Sequence, residues 1–473
     1  MTLIKSISGI RGTIGGHQGK NMTPIDAVKY AAAYGHWVKE QRNKEDYRVV
    51  VGRDARISGH MMQQLVMNTL IGLGIDIVDL GLSTTPTVEV AVALEHADGG
   101  IVLTASHNPK QWNALKLLNH KGEFLNAEAG QNILDIADSV DITFADVDDL
   151  GKIHKNEAYI NLHIDEILDL ELVDVKAIKK AGFKVVVDGV NSTGGIAVPM
   201  LLEALGVNPV KLFCTPNGEF PHNPEPLKEH LTDLMEAVLK ENAHFGIVVD
   251  PDVDRLAFVD ENGEMFGEEY TLVAVADYVL QNKPGNTVSN MSSSRALSDI
   301  TEKHDGSYIA SAVGEVNVVE KMKETQAVIG GEGNGGIIYP ELHYGRDSLV
   351  GIALFLSHLA HQNITVSELR ATYPSYFMSK KKIELTPRLD VDTILKSIET
   401  TYTSDGMPPE ASAKVQGIST IDGVKIDFAE SWVHLRKSNT EPIIRIYTEA
   451  KSQSEADSLA DQFVAEIKEI TKL

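Results

Sequence analysis

The chain has 473 residues, 43% of them hydrophobic and 23% charged, with a formal net charge of −24 and an isoelectric point near 5.1. A field that acidic repels nucleic acid and anionic lipid, so neither is an expected partner, while a local basic pocket for a small anion stays compatible with it. The single cysteine, Cys214, excludes an internal disulfide, and neither the opening MTLIKSISGI nor any later run has the apolar length of a signal peptide or a membrane span, so a cytoplasmic protein is expected. The length exceeds what one hydrophobic core supports, which predicts three or four domains.

In chain order, NMTPIDAVKYAAAYGHWVKEQRNK opens a helix, with Thr23 as N-cap, Pro24 at the first helical position and Asp26 in the first turn. YRVVVGRDARISG predicts a buried strand, a polar loop and a helix capped by Ser58. IDIVDLGLSTTPT gives a strand and turn, and GGIVL a buried strand running into TASHNPKQWN, residues 104–113. The same theme, an apolar strand ending in a loop of Gly, Asp, Asn or Ser, recurs at FKVVVDGVNSTGG, FGIVVDPDVDR and AVIGGEGNGG. Strands alternating with helices predict parallel βαβ units, whose ligands lie beyond the carboxyl ends of the strands. The last hundred residues differ. KKKIELTP, a helix around VDTILKSIETTY, and VKIDFAESWVHLRKSNTEPIIRIYTEA with a hairpin at Asp422-Gly423 predict a small α+β domain, closed by the amphipathic SEADSLADQFVAEIKEITKL. Polar linkers place the domains at 1–155, 156–260, 261–375 and 376–473.

Several of these loops carry residues suited to chemistry. Ser106 and His107 in TASHNPKQWN fit a nucleophile at a strand end, and fit an Asn-Pro turn as well. DPDVDR sets Asp250, Asp252 and Asp254 at alternate positions, which in an extended segment would point all three carboxylates one way. Three such charges repel one another, and a cation is the natural remedy; oxygen-only ligands favour Mg²⁺, Mn²⁺ or Ca²⁺ over zinc. The glycine and glutamate of an EF-hand loop are missing, and Arg255 directly afterwards suits a phosphate beside the metal. In GEGNGG, Glu332 can accept from sugar hydroxyls and Asn334 can donate to and accept from them, though a structural glycine turn fits the loop equally. RKSNTEPIIR offers Arg436, Ser438, Asn439, Thr440 and Arg445 either as a phosphate cradle or as a polar hairpin. Arg11 in SGIRG, Arg53 and Arg56 in GRDARISG, and Lys116 ten residues past Ser106 are cations whose usual fate is surface pairing.

Together, SGIRG, GRDARISG, TASHNPKQWN, DPDVDR, GEGNGG and RKSNTEP, in that order along essentially the whole chain, resemble the α-D-phosphohexomutase superfamily. The resemblance implies an α/β protein of four domains around a central cleft, three similar mixed-sheet α/β domains and a C-terminal α+β domain, carrying in turn a phosphoserine, a metal, a sugar and a phosphate loop. It also implies a reaction. Phosphorylated Ser106 gives its phosphate to a hexose phosphate substrate, the bisphosphate turns over in the cleft, and the other phosphate returns to Ser106, so phosphate moves between C6 and C1. A hexose bisphosphate is the activator this implies. The resemblance further implies one Mg²⁺ per active site on Asp250, Asp252 and Asp254, shared with the phosphate on Ser106. Lys116, Arg255 and Arg11 would steady the transferring phosphoryl group, and His107 would position the loop. Glu332 and Asn334 would hold ring hydroxyls, and Arg436, Ser438, Asn439, Thr440 and Arg445 the second phosphate.

Departures from the family pattern bear on substrate. Mannose- and glucose-specific members carry Gly-Glu-x-Ser-Gly-His in the sugar loop; here Asn334 replaces the serine and Gly336 the histidine. Glu315, after Val313-Gly314, resembles the phosphoglucosamine mutases, and a carboxylate there would attract an ammonium on C2. Trp112 and Ala114 stand where the family often has tyrosine and glycine. The expected activity is conversion of glucosamine 6-phosphate to glucosamine 1-phosphate, by a monomer or homodimer. The alternatives are a phosphomannomutase/phosphoglucomutase, a phosphatase-like hydrolase working through phosphoserine, and a non-catalytic sugar-phosphate sensor, which would have no need of the nucleophile.

Overall fold

β-branched runs make the interior strands of the first sheet. In this computed structural model, which describes residues 2–6, 9–42, 44–139, 141–384, 390–403, 415–437 and 443–471, those runs become β1 (Ile4–Ser6), β2 (Gly9–Thr13), β3 (Tyr47–Arg53), β4 (Ile75–Leu82), β5 (Gly99–Leu103), β6 (Trp112–Leu118) and β7 (Ile153–Lys155). Their order is β1-β2-β6-β5-β3-β4-β7. Side chains alternate across the sheet. Val49, Val51, Ile101 and Leu103 pack with Tyr30, Tyr34, Met62 and Val66 of the helices on one face, and Val50 and Val102 with Val88 and Val92 on the other. Each fully buried valine contributes about 1.5 kcal/mol or more of transfer free energy.

The first helix, Pro24–Arg42, starts as its sequence predicts: Thr23 N donates to Asp26 Oδ2 (3.2 Å) and Asp26 N to Thr23 Oγ1 (3.4 Å), a reciprocal cap. Ser58 does not act as expected. It precedes the helix Gly59–Gly72 in helical conformation without a side-chain cap, because its hydroxyl instead accepts Asn113 Nδ2 at 2.9 Å.

The expectation of purely parallel βαβ units also needs correction. β3 runs parallel to β4 and β5, but β6 returns antiparallel along β5, so residues 104–111 link a strand to its antiparallel neighbour and not to a helix. The second sheet repeats the device. Its strands are β8 (Lys184–Asp188), β9 (Asn208–Leu212), β10 (Phe245–Val249) and β11 (Leu256–Val259), ordered β11-β10-β8-β9, with β8 parallel to β9 and β10 and β11 antiparallel to β10. Farther on, β12 (Thr287–Asn290) pairs in parallel with β13 (Tyr308–Ser311), and β14 (Ile329–Glu332) pairs antiparallel with β15 (Gly336–Ile338). The three candidate loops 104–111, 250–255 and 333–335 therefore share one structural address.

The C-terminal sheet is wholly antiparallel, β16 (Phe377–Glu384), β17 (Val415–Ser419), β18 (Val424–Phe428), β19 (Trp432–Lys437) and β20 (Ile443–Ala450) in the order β16-β20-β19-β18-β17. Gly423, at φ +71°, closes the β17–β18 hairpin that Asp422-Gly423 predicts. Helices Val391–Thr403 and Gln453–Thr471 cover one face of this sheet through Ile394, Leu395, Ile398, Phe463 and Ile467. The chain divides into two compact units, Met1–Pro284 with Val328–Ala371, and Gly285–Ala327 with Thr372–Leu473. Among the described residues no helix is long and apolar enough to cross a membrane.

Candidate active site

In the first unit, Ser106 sits on the turn after β5 with φ +49°, a left-handed backbone that costs a non-glycine residue about 1–2 kcal/mol. The turn is held by a buried guanidinium. Arg56, 1% exposed, donates to the carbonyls of Ser106, Asn108, Pro109 and Trp112 at 2.5–3.1 Å, while its Nε meets Asp54 Oδ2 at 2.9 Å. Asp54 also accepts the Thr104 hydroxyl (2.7 Å), and Thr104 Oγ1 accepts Ser106 N (3.0 Å). Charge-assisted bonds of this kind offset the strain and fix where the serine points. Its Oγ donates to Asp250 Oδ2 at 2.7 Å.

The three aspartates converge, but by a different route from strand alternation. Residues 250–255 form a tight turn in which Val253 takes φ +65°, and Asp250 Oδ1 accepts the amides of Asp254 (3.1 Å) and Arg255 (3.2 Å). The Ser192 and Thr193 hydroxyls clamp Pro251 O at 2.6 and 2.9 Å. Asp250, Asp252 and Asp254 are all 0% exposed, and each offers an oxygen within 4.8 Å of the others. Lys116 Nζ reaches Asp252 Oδ2 (2.7 Å) and Asp254 Oδ2 (3.1 Å), Arg346 Nη2 reaches Asp254 Oδ2 (2.7 Å), and the Thr85 hydroxyl donates to Asp252 Oδ2 (2.5 Å). The opposite oxygens, Asp252 Oδ1 and Asp254 Oδ1, are buried and accept no hydrogen bond. Orphaned acceptors at that depth are costly, and a set of hard oxygen donors suits a divalent cation of the magnesium type. The residues present fit a metal ion.

Electrostatics divide the three carboxylates. Burial, then Asp254 and Asp252, push the Asp250 carboxyl well above its usual range. Burial also acts on Asp254, yet Arg346, Lys116 and Arg255 together hold it far below that range. Lys116 loses to burial and gains more from Asp252 and Asp254, so its ammonium is held more firmly than in water. His107 Nδ1 lies 3.4 Å from Ser106 Oγ; burial and then the Arg255 guanidinium push its pKa well below the ordinary histidine value, leaving a neutral ring. Arg11, on β2 opposite Ala114 of β6, is lowered by burial and by the nearby Arg255. The Nε atoms of Arg11 and Arg255 are buried without hydrogen-bond partners, and Arg255 Nη1 keeps only a loose contact with Glu225 Oε1 at 3.6 Å. Ser106, His107, Lys116, Arg11, Arg255 and the aspartates thus belong to one neighbourhood.

Glu332 ends β14, 5% exposed, with Oε2 accepting Arg346 Nη1 at 2.7 Å. Asn334 Oδ1 accepts Gly336 N at 3.3 Å. Both belong to the first unit with Ser106.

The second unit carries the remaining candidates. Arg436 of β19 and Arg445 of β20 are direct cross-strand partners, and Lys382 of β16 is the next residue in the same row. Like charges directly opposite are unfavourable. Among the described residues Arg436 Nε meets Asp422 Oδ2 at 3.4 Å, and Arg445 Nη1 the Tyr447 hydroxyl at 3.4 Å. Ser438, Asn439 and Thr440 lie outside the described residues. Glu315, 9% exposed, opens the helix Glu315–Thr325 after Gly314 at φ +115°.

Sequence reasoning missed Arg346 and Thr85 and undervalued Arg56, whose surroundings look like an exposed loop in the sequence. The one usable signal for Arg346 is its position before Asp347, which caps the helix Ser348–Gln362 and so fixes the backbone of the preceding residue.

A serine hydrogen-bonded to a buried carboxylate thus stands in one neighbourhood with guanidinium Nε atoms that lack hydrogen-bond partners, and the models of four successive domains name the class of the chain. Phosphoglucomutase/phosphomannomutase alpha/beta/alpha domain I matches residues 3–143, domain II 161–263, domain III 267–376 and the C-terminal domain 401–466. The chain belongs to the phosphoglucomutase/phosphomannomutase family, whose members are phosphohexomutases, with three mixed-sheet α/β domains and a C-terminal domain built on an antiparallel sheet. It is 37% identical over 451 residues to a phosphoglucomutase/phosphomannomutase of Thermococcus kodakarensis, covering 94% of this chain and 95% of that one. It is 33% identical to a probable phosphoglucosamine mutase of Methanopyrus kandleri, covering 97% and 96%. Among solved structures, a phosphoglucomutase/phosphomannomutase family protein of Burkholderia thailandensis superposes with a TM-score of 0.83 at 26% identity, covering 99% and 98%.

Proposed function

We propose that this phosphohexomutase works through a phosphoserine at Ser106 and converts glucosamine 6-phosphate to glucosamine 1-phosphate. The observation that carries the mechanism is the 2.7 Å contact between Ser106 Oγ and Asp250 Oδ2, at the edge of three wholly buried carboxylates. In the first half-reaction the phosphoryl group leaves Ser106 Oγ as that P–O bond breaks and joins a sugar hydroxyl oxygen; the hydroxyl proton ends on Ser106 Oγ. The second half-reaction runs in reverse with the other phosphate of a hexose bisphosphate, which also serves as activator by phosphorylating a bare Ser106.

Asp250, Asp252 and Asp254 would hold Mg²⁺, shared with the phosphate on Ser106, and the ion would neutralise phosphoryl charge when bound. Lys116, Arg11 and Arg255 bind and orient the phosphoryl oxygens, with the two unpartnered guanidinium Nε atoms free to donate to them. His107, neutral, positions the loop. Glu332 and Asn334 hold ring hydroxyls, and Arg436 and Arg445, with Ser438, Asn439 and Thr440, take the second phosphate. Each of the four domains, divided near 155, 260 and 375, contributes one of these loops.

Support for the amino sugar comes from the buried carboxylate of Glu315 and from the name of the Methanopyrus kandleri relative. The name of the Thermococcus kodakarensis relative favours a second reading, a phosphoglucomutase/phosphomannomutase.

The test is turnover of glucosamine, mannose and glucose phosphates, each with Mg²⁺ and a catalytic bisphosphate, with intact-mass analysis of the protein. Ser106→Ala is expected to lose on the order of 10⁴-fold in kcat and the added phosphate mass. A preference for mannose or glucose phosphate would overturn the substrate and leave the mechanism; full activity in Ser106→Ala would overturn the mechanism.

A further inference from the structure

Gly336 has an ordinary backbone conformation, unlike Gly335 at φ +86° in the same loop, so conformational freedom does not account for it. Space does. A Cβ at 336 would lie 2.3 Å from Arg346 Cδ and 3.1 Å from its Cγ. The stem of Arg346 runs through the volume a side chain at 336 would fill. Its guanidinium, beyond that point, joins two loops: Nη1 donates to Glu332 Oε2 and Nη2 to Asp254 Oδ2, both at 2.7 Å.

The arginine cannot easily yield. Asp347, next in the chain, accepts the amides of Leu349 (2.8 Å) and Val350 (3.3 Å) with Oδ1, and His163 Nε2 (2.9 Å) and His343 Nε2 (3.3 Å) with Oδ2. On the other side, a Cβ at Gly345 would stand 1.9 Å from Glu89 Oε2. The backbone that carries Arg346 is therefore anchored through Asp347 on one side and closely packed against Glu89 at Gly345 on the other.

We infer that Gly336 and Arg346 act as one device: the missing side chain at 336 admits the arginine, and the arginine fixes Glu332 of the sugar loop to Asp254 of the metal loop. Arg346 is a positioning residue for sugar binding. Glu332 and Asp254 are each taken by a separate nitrogen of one planar fork, and a lysine offers a single nitrogen in place of the two. The proposal rests on the reading of residues 331–336 as the sugar loop.

The experiment is a double-mutant cycle on the full-length protein, read by thermal melting and by KM and kcat. Gly336→Ala is expected to lower the melting temperature by several degrees in the wild type and to change nothing in Arg346→Ala, where the stem is gone. Arg346→Ala and Arg346→Lys are each expected to raise KM for the hexose phosphate about tenfold, with a smaller change in kcat. Combining Arg346→Ala with Glu332→Gln is expected to add nothing to the KM effect, because both act through the same carboxylate. An equal melting penalty for Gly336→Ala in both backgrounds would overturn the shared space. Rescue of KM by Arg346→Lys would overturn the two-carboxylate bridge. A Glu332→Gln variant with unchanged KM, alongside a stability cycle that behaves as expected, would instead remove the sugar-loop reading and with it the positioning role.

Discussion

The loops at 104–111 and 250–255 and the loop at 333–335 occupy the same place in their sheets, yet they obtain their shapes by opposite means. The first two put a side chain in the left-handed region, Ser106 at φ +49° and Val253 at +65°, and hold it there with buried polar groups. The third uses glycine at the left-handed position, Gly335 at +86°, and is tied down by an arginine from elsewhere in the chain. On the proposed function these two loops hold a nucleophile and a charge cluster, which need one conformation, and strain fixed from outside supplies it. On the same proposal the third loop meets a sugar in two orientations, has less use for local strain and gains its rigidity from a tether.

The contrast breaks most severely at Arg56. Arg56→Met removes four carbonyl partners and leaves Asp54 buried beside Thr104 without its cation, which is expected to cost about 3–5 kcal/mol in stability. Where the variant still folds, kcat is expected to fall by about 10²-fold with KM little changed, because the serine is displaced while the sugar loop is untouched. Thermal melts and steady-state kinetics check both; an unchanged kcat would show that the turn holds itself.

The tether of the third loop can be probed through His343. Burial disfavours its charge, but hydrogen bonds to Asp347 and Glu89 outweigh burial and push its pKa up to about 10; His163, also on Asp347, is the other titratable group facing it. The folded pKa lies above the unfolded value near 6.5, so the contribution is complete below pH 6.5 and disappears as pH rises through about 10. His343→Gln is therefore expected to be less stable than the wild type by on the order of 2 kcal/mol at pH 6, and the gap should close toward pH 10. Denaturant melts at pH 6, 8 and 10 measure it. A gap that widens with pH would mean a neutral imidazole.

The smallest effect is the sharpest on strain. At left-handed positions glycine escapes the penalty that alanine keeps, so Val253→Gly should be more stable than Val253→Ala by about 1 kcal/mol, and Ser106→Gly than Ser106→Ala by a similar margin. Reversed orders in the melting temperatures would remove strain from the account of these two turns.

Much of the site was legible because its parts are short, local and rich in punctuation. Asp250, Asp252 and Asp254 announce themselves by repulsion, and Glu332 by the glycines around it. The antiparallel return strands were not legible: WNALKLL is as apolar as a strand buried in parallel pairing, and nothing in its composition gives its direction. The turn at Val253 was hidden because β-branched residues seldom take positive φ, so alternation looked like the simpler geometry. Arg56 and Arg346 became visible only in three dimensions, since each acts on carbonyls or carboxylates dozens of residues away. Ser58 misled for a related reason, its hydroxyl being claimed by Asn113, 55 positions along.

The row formed by Lys382, Arg445 and Arg436 has a practical side at the bench. Cations facing one another across three strands are mutual irritants until a polyvalent anion lies among them. Phosphate and sulfate buffers will accordingly flatter the heat resistance of this region and, on the proposed function, compete with sugar phosphates in an assay, so stability and kinetics are best measured in a buffer with a monovalent or cationic acid, such as acetate or Tris.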